Sequence, residues 1–339
     1  MSEIVGFVGM SHSPFASLMP PGPDDPGATF LADVGRVRDA VTALAPDAVV
    51  VIGPDHFHGN FYDVMPPITL GVEEAVGFGD FGSRAGALPV AGALAWAVRD
   101  AVADAGFDLA LSYSLTVDHG IVQSYEMLGG WGDHGEGAEI PIVPLVLNTA
   151  APPLPTPARC VALGRALGDA LRGAPQPHRV LVVASGGLSH WLPSNDPRDP
   201  AMVGERRAAL IHGRRDAVGF AAAREPRVRA MAGDPDAPVN AGWDRWFLDR
   251  LTEGDLDTVA ALGHDGIEAA AGSGGQEIRT WLVGLAAVGG GLAAIGYERV
   301  PEWITGMGLG TSFPVSGLPR RPAALRAAPG PVPSAARSR

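Results

Sequence analysis

Residues 49–59 read VVVIGPDHFHG, an unbroken β-branched and apolar run that stops at a Gly-Pro-Asp turn carrying His56. Such a β-branched and apolar run reads as one strand. Three more runs share the design. VGFVGM leads into SHSP with His12, LALSYSLT into VDHG with His119, and VLVVAS into GGLSH with His190. Open α/β sheets bind ligands outside the carboxyl ends of their strands, so the four histidines are expected to converge on one pocket.

Strand signals fall at about 3–9, 47–53, 107–113, 140–147 and 179–185, with helix-length periodic stretches at 28–44, 90–105 and 157–172 between several of them. That alternation predicts an α/β fold: a layered central sheet, mixed but largely parallel, flanked by helices. Segments 200–230, 240–253 and 276–296 read as helical, giving a mainly helical C-terminal part. Residues 1–317 are expected to form a single catalytic domain. The Pro-, Ala- and Arg-rich stretch 318–339 is expected to be a disordered tail. Two Gly- and Pro-punctuated segments, Pro54–Pro67 and Gly77–Pro89, read as ordered loops walling a pocket, and Trp131–Glu139 as a polar surface insertion.

Composition removes several classes of function. The formal charge is −12, which disfavours nucleic acid as a partner. All 25 basic residues are Arg and none is Lys, so Schiff-base chemistry and the phosphate-loop lysine are impossible. The lone Cys160 forbids an internal disulfide or a cysteine zinc cluster and reads as a buried thiol in a helix. The N-terminus lacks a basic region, so it does not read as a signal peptide, and a cytoplasmic location is expected. Trp281–Tyr297 is the one uncharged run near membrane length. It is short and Gly-rich and is read as a buried helix, so no membrane partner is expected. There is no G-x-S-x-G elbow and no H-E-x-x-H helix, and Gly289, Gly291 and Ala294 match a dinucleotide loop only inside an apolar run.

Two neutral imidazoles and one carboxylate on one face of a metal would leave adjacent positions open for substrate and O2. Glu277 in GGQEIRTWLVGLAAVGGGL is the candidate carboxylate, in the first turn of the most apolar helix, although an acid there is also favoured by the helix dipole. Asp55 or Ser11 is a candidate partner for the second imidazole nitrogens, and Asp118 for orienting His119, with a turn-forming role equally open to it. His58, two residues after His56, would point away in an extended turn. His134, His178, His212 and His264 lie in polar contexts and read as solvated.

The ordered set SHSP, PDHFHGNFYDVMPP, GDFGS, LPV, VDHG, SGGLSH, QEIRTW and PEWITGMG resembles the class III extradiol catechol dioxygenases over about residues 3–312. The resemblance implies His12, His56 and Glu277 as Fe(II) ligands and His119 and His190 as the acid–base pair. His190 is then the base towards the catechol and His119 the acid. It implies a catechol and O2 as the small-molecule partners, extradiol cleavage to a 2-hydroxy-6-oxo-dienoate, and a homo-oligomer. It also implies a short carboxylate side chain on the catechol, as in 3-(2,3-dihydroxyphenyl)propanoate, which an Arg would grip bidentately, Arg84 being a candidate. Segment 193–239 shares least with the family. Two other readings stay open: a Zn or Mn hydrolase on the same triad, and a non-catalytic binding relative.

Overall fold

The computed structural model describes residues 2–130, 139–176 and 178–319. In chain order the strands are β1 (Glu3–Met10), β2 (Ala48–Gly53), β3 (Ile68–Phe78), β4 (Ala85–Leu88), β5 (Ala110–Val117), β6 (Ile142–Leu147), β7 (Arg179–Ser185), β8 (Ala294–Val300) and β9 (Thr305–Thr311). The helices are α1 (Pro14–Leu18), α2 (Ala28–Leu44), α3 (Gly92–Asp104), α4 (His119–Met127), α5 (Pro157–Gly173), α6 (Gly204–His212), α7 (Ala217–Arg229), α8 (Ala241–Thr252), α9 (Leu256–Ala261), α10 (Gly263–Ala271) and α11 (Ile278–Val288).

The sheet runs β4-β3-β6-β2-β7-β1-β9-β8, with β5 on the other edge of β3. Its centre, β6-β2-β7-β1, is parallel, and every residue of β2 and β6 is buried. That is the burial a continuous apolar run requires. Helices cover both faces. One core joins α3, α5, α8 and α11 to the sheet, and the other joins α1, α2 and α4 to it. The fold class is therefore α/β as the alternation predicts.

Two readings are corrected. The run Trp281–Tyr297 is not one helix: α11 stops at Val288, Gly289 and Gly290 both take φ 81°, and β8 begins at Ala294. Hydropathy alone fuses a buried helix with the buried strand after it, and the glycines separate them. Gly77–Pro89 is mostly a hairpin, with Phe78 pairing Ala85 and Ala75 pairing Leu88. Its strands are Gly- and Glu-bearing and partly exposed, so no alternation marks them. The C-terminal part is mainly helical as expected, from α6 to α11, and after it β8 and β9 extend the sheet antiparallel beside β1.

Leu318 is buried and the Pro319 carbonyl accepts the Ile295 N–H, so the ordered fold continues through Pro319. Residues 320–339 of the expected tail, and residues 131–138 of the expected surface insertion with His134, lie outside the described residues. Among the described residues no helix is long and apolar enough to cross a membrane.

Candidate active site

β1, β2 and β7 are parallel neighbours, so the residues after their last pairs emerge together. His12 follows β1. Its Nδ1 lies 3.0 Å from Oγ of Ser185, the last residue of β7, and its Nε2 lies 3.5 Å from Glu277 Oε2. His56 follows β2. Its Nδ1 lies 3.2 Å from Asp118 Oδ2 and its Nε2 3.4 Å from Glu277 Oε1. Glu277 ends a 3-10 turn, Gly274–Glu277, that feeds α11, and its Oε2 accepts the Gly187 N–H at 2.6 Å. His190, five residues past β7, brings Nε2 to 3.8 Å from Glu277 Oε1 while Nδ1 lies 2.9 Å from the Leu188 carbonyl.

His119 arrives by another route. β5 joins the sheet only through β3, and β3 is antiparallel to β6, so the carboxyl-end rule does not cover it. His119 instead opens α4, which Asp118 caps by accepting the Gly120 N–H at 2.8 Å. The helix start lies on Gly53 at the end of β2, where a Cβ would come 2.5 Å from the Gly120 carbonyl oxygen. The His119 ring then stacks on His56 at 4.4 Å and meets His12 edge-on at 5.4 Å. All five residues line one cavity of about 240 Å³, walled by Phe78, Phe81, Leu192, Trp303 and Ile304.

The partners of these groups differ from expectation. Ser185, not Ser11, faces His12, because Ser11 donates to the Gly306 carbonyl. Asp55 accepts the N–H groups of Phe57, Gly59 and Asn60 and so builds the turn rather than holding an imidazole. Phe57 takes φ 62° in that turn, a conformation costly for a bulky residue, and the chain is bent rather than extended. His58 therefore lines the cavity, with Nδ1 3.0 Å from Asp118 Oδ2 and Nε2 3.7 Å from Asp80 Oδ2. Asp118 serves His56 and His58. The carboxylate on His119 is Asp80, which bonds Nδ1 and accepts the His119 N–H at 3.0 Å. GDFGS held that signal only as part of a family pattern, since nothing local pairs residues 80 and 119. Arg84 is absent from the cavity and pairs with Glu139 at 2.8 Å. His178, His212 and His264 are also away from it.

Burial is the largest influence on His12, His56 and Glu277, and the charges decide where it is overruled. It takes the His12 imidazole down to about 3 although Glu277 pulls the other way. At His56 burial loses to Asp118 and Glu277, which hold the imidazole well above its usual range. Glu277 stays ionised far below the ordinary carboxylate range, because His12, His56 and His190 outweigh its burial. The cluster is thus an anionic carboxylate ringed by imidazole nitrogens, a donor set suited to a divalent transition metal. The donor atoms of His12, His56 and His119 also lie within 4.8 Å of one another, so a third imidazole is within reach of the same centre.

Behind His190 lies a further buried acid. Asp244 accepts the Ser189 N–H at 2.8 Å, the Ser189 hydroxyl at 2.9 Å and the Tyr297 hydroxyl at 2.8 Å. Burial nevertheless raises it to about 7 from 3.8. A carboxyl with a raised folded pKa is destabilising once ionised, so stability is lost as pH rises from about 4 to about 7. Asp244→Asn is expected to remove that loss, worth about 4 kcal/mol by pH 8 at 1.36 kcal/mol per unit. Denaturant unfolding of both proteins at pH 5 and pH 8 checks it: a difference that does not grow in favour of the variant at pH 8 refutes the assignment.

The α/β sheet thus delivers imidazoles and the buried Glu277 carboxylate to one apolar-walled cavity, a donor set of the kind that suits a metal-dependent enzyme. Comparison with known proteins gives its family. Residues 6–308 match the family described as the catalytic LigB subunit of aromatic ring-opening dioxygenase. The chain is 39% identical over 316 residues to the 2,3-dihydroxyphenylpropionate/2,3-dihydroxicinnamic acid 1,2-dioxygenase of Burkholderia vietnamiensis (strain G4 / LMG 22486), covering 88% of this chain and 94% of that one. The protein of the same name from Cupriavidus pinatubonensis (strain JMP 134 / LMG 1197) is 40% identical over 318 residues, with 88% and 94% covered. That of Rhodococcus sp is 36% identical over 325 residues, with 92% and 99% covered. The chain belongs to the LigB family of aromatic ring-opening dioxygenases, and it is an extradiol dioxygenase, as the ordered motifs imply.

Proposed function

We propose that the enzyme uses Fe(II), held by His12, His56 and Glu277, to open a catechol ring with O2 beside its two hydroxyl-bearing carbons. The observation that carries this reading is the approach of both imidazole Nε2 atoms to the two oxygens of one buried carboxylate, at 3.5 and 3.4 Å. Iron bound there would bring catecholate and O2 together and pass electrons between them. The relatives are named for 2,3-dihydroxyphenylpropionate, and the proposed substrate is 3-(2,3-dihydroxyphenyl)propanoate or a related carboxylated catechol, opened to a 2-hydroxy-6-oxo-dienoate.

The chain's own residues move the protons. With the Nδ1–H of His190 donated to the Leu188 carbonyl, Nε2 presents a lone pair to the cavity, and His190 is the base for a catechol hydroxyl. His119 has the opposite polarity. Asp80 bonds Nδ1 and turns Nε2 to the cavity, where it is the atom that would deliver a proton to an oxygen of the opening ring. The apolar walls keep water from that exchange.

Anaerobic reconstitution with Fe(II), then a panel of substituted catechols with O2 uptake recorded, tests the function. One O2 consumed per catechol with a yellow ring-opened product is expected. Folded, iron-loaded protein that consumes none, or hydrolysis sustained by Zn or Mn, sinks it. Gly274 offers a finer check, because a Cβ there would come 2.0 Å from His190 Nε2. Gly274→Ala is expected to displace that imidazole and lower kcat by about 10²-fold with iron content kept. An unchanged kcat would separate His190 from the chemistry.

A further inference from the structure

Segment 193–239 supplies the cavity with a wall. Val218, Ala221, Ala222, Arg224, Glu225 and Val228 of α7 all face the cavity. The chain has no Lys, and Arg224 is the one Arg among the described lining residues. Its guanidinium Nη1 donates to the carbonyl of His56, the residue whose imidazole faces Glu277, and its Cζ lies 5.7 Å from the centroid of the Phe57 ring. The other guanidinium N–H groups have no hydrogen-bond partner among the described residues.

A guanidinium in this position has no carboxylate of its own. Glu225, its neighbour on the cavity wall, is taken by Arg229 at 2.5 Å. Asp55, Asp80 and Asp118 act on Arg224 only through space, and none is within 4 Å of it. An anionic side chain entering the cavity meets Asp80, Glu225 and Glu277, in a protein of formal charge −12. At the wall away from the Glu277 cluster, an acidic group needs a cation of its own against that field. The planar fork, braced on one edge by His56 and with N–H groups to spare, is built to take a carboxylate.

We infer that Arg224 receives the carboxylate of the substrate side chain and thereby sets the preference of the enzyme for acidic over neutral catechols. The inference rests on the ring-cleavage reading above and assigns its acidic end to α7. Val218, Ala221 and Val228 supply apolar surface for the short carbon chain between ring and acid.

The test compares wild type with Arg224→Gln on two substrates that differ only in charge, 3-(2,3-dihydroxyphenyl)propanoate and its primary amide. The wild type is expected to favour the acid in kcat/KM. The Gln variant is expected to lose that acid-to-amide preference by roughly 10- to 100-fold, the worth of a hydrogen bond to a charged group. The loss should fall mainly in KM, and anaerobic equilibrium binding of the acid should weaken in parallel. Arg224→Lys, a point charge without the fork, should retain part of the preference. Acid and amide falling together would overturn the inference and leave Arg224 as a brace for the His56 turn. A wild type with equal kcat/KM for acid and amide overturns it without any variant, while ring-cleavage stands. A wild type that opens neither catechol overturns ring-cleavage and this inference alike.

Discussion

Glu277→Ala is expected to strip the protein of iron and abolish ring cleavage while leaving the fold intact. Glu277 is the point where the cluster closes: His12, His56 and His190 all approach its oxygens, at 3.5, 3.4 and 3.8 Å. Removing it leaves the two imidazoles of His12 and His56 and takes away the anionic ligand of the proposed site. Loss of an outer-shell partner costs 10- to 100-fold in metal affinity, and loss of the carboxylate ligand should exceed about 100-fold. Glu277→Gln keeps the shape and an acceptor for the Gly187 N–H, so it isolates the charge. Metal analysis after anaerobic loading, beside circular dichroism, reads the result. A Glu277→Ala protein that holds stoichiometric iron and turns over would refute the ligand assignment.

His119→Gln is expected to do the reverse, keeping iron and lowering turnover by about 10²- to 10⁴-fold, the range lost with a general acid. His119 is held on the far side of its ring by Asp80 through both Nδ1 and the main-chain N–H, which fixes its orientation before any ligand binds. Asp80→Asn should therefore lower turnover in the same direction by a smaller factor and alter the pH profile of kcat. The alternative outcome is specific. Since the donors of His12, His56 and His119 lie within 4.8 Å, loss of iron in His119→Gln would make His119 a ligand and remove it from proton transfer.

The two experiments divide the cluster between residues that hold a cation and residues that carry a proton. In sequence the four histidines share one signal. A strand buried on both faces must be a continuous apolar run, so a histidine just past its end stands out. Glu277 stood out likewise, as a charge at the threshold of the apolar α11. The carboxyl-end rule fails for His119, since β5 lies outside the parallel centre and α4 carries that imidazole in over Gly53.

The amino-acid sequence by itself determined the α/β class, the buried parallel strands and the polar residues at their ends, because those follow from local periodicity and from the cost of burying charge. It also determined which chemistries are unavailable, since lysine is absent and cysteine is single. Only the tertiary structure decided the partners. Asp80 meets His119 across 39 residues, Asp118 meets His56 across 62, and Arg224 reaches the His56 carbonyl across 168. No periodicity encodes such pairs. They arise where the hairpin of β3 and β4, the left-handed Phe57 turn and α7 fold over the end of the sheet, so hydrogen bonding at long range, not local propensity, chose them.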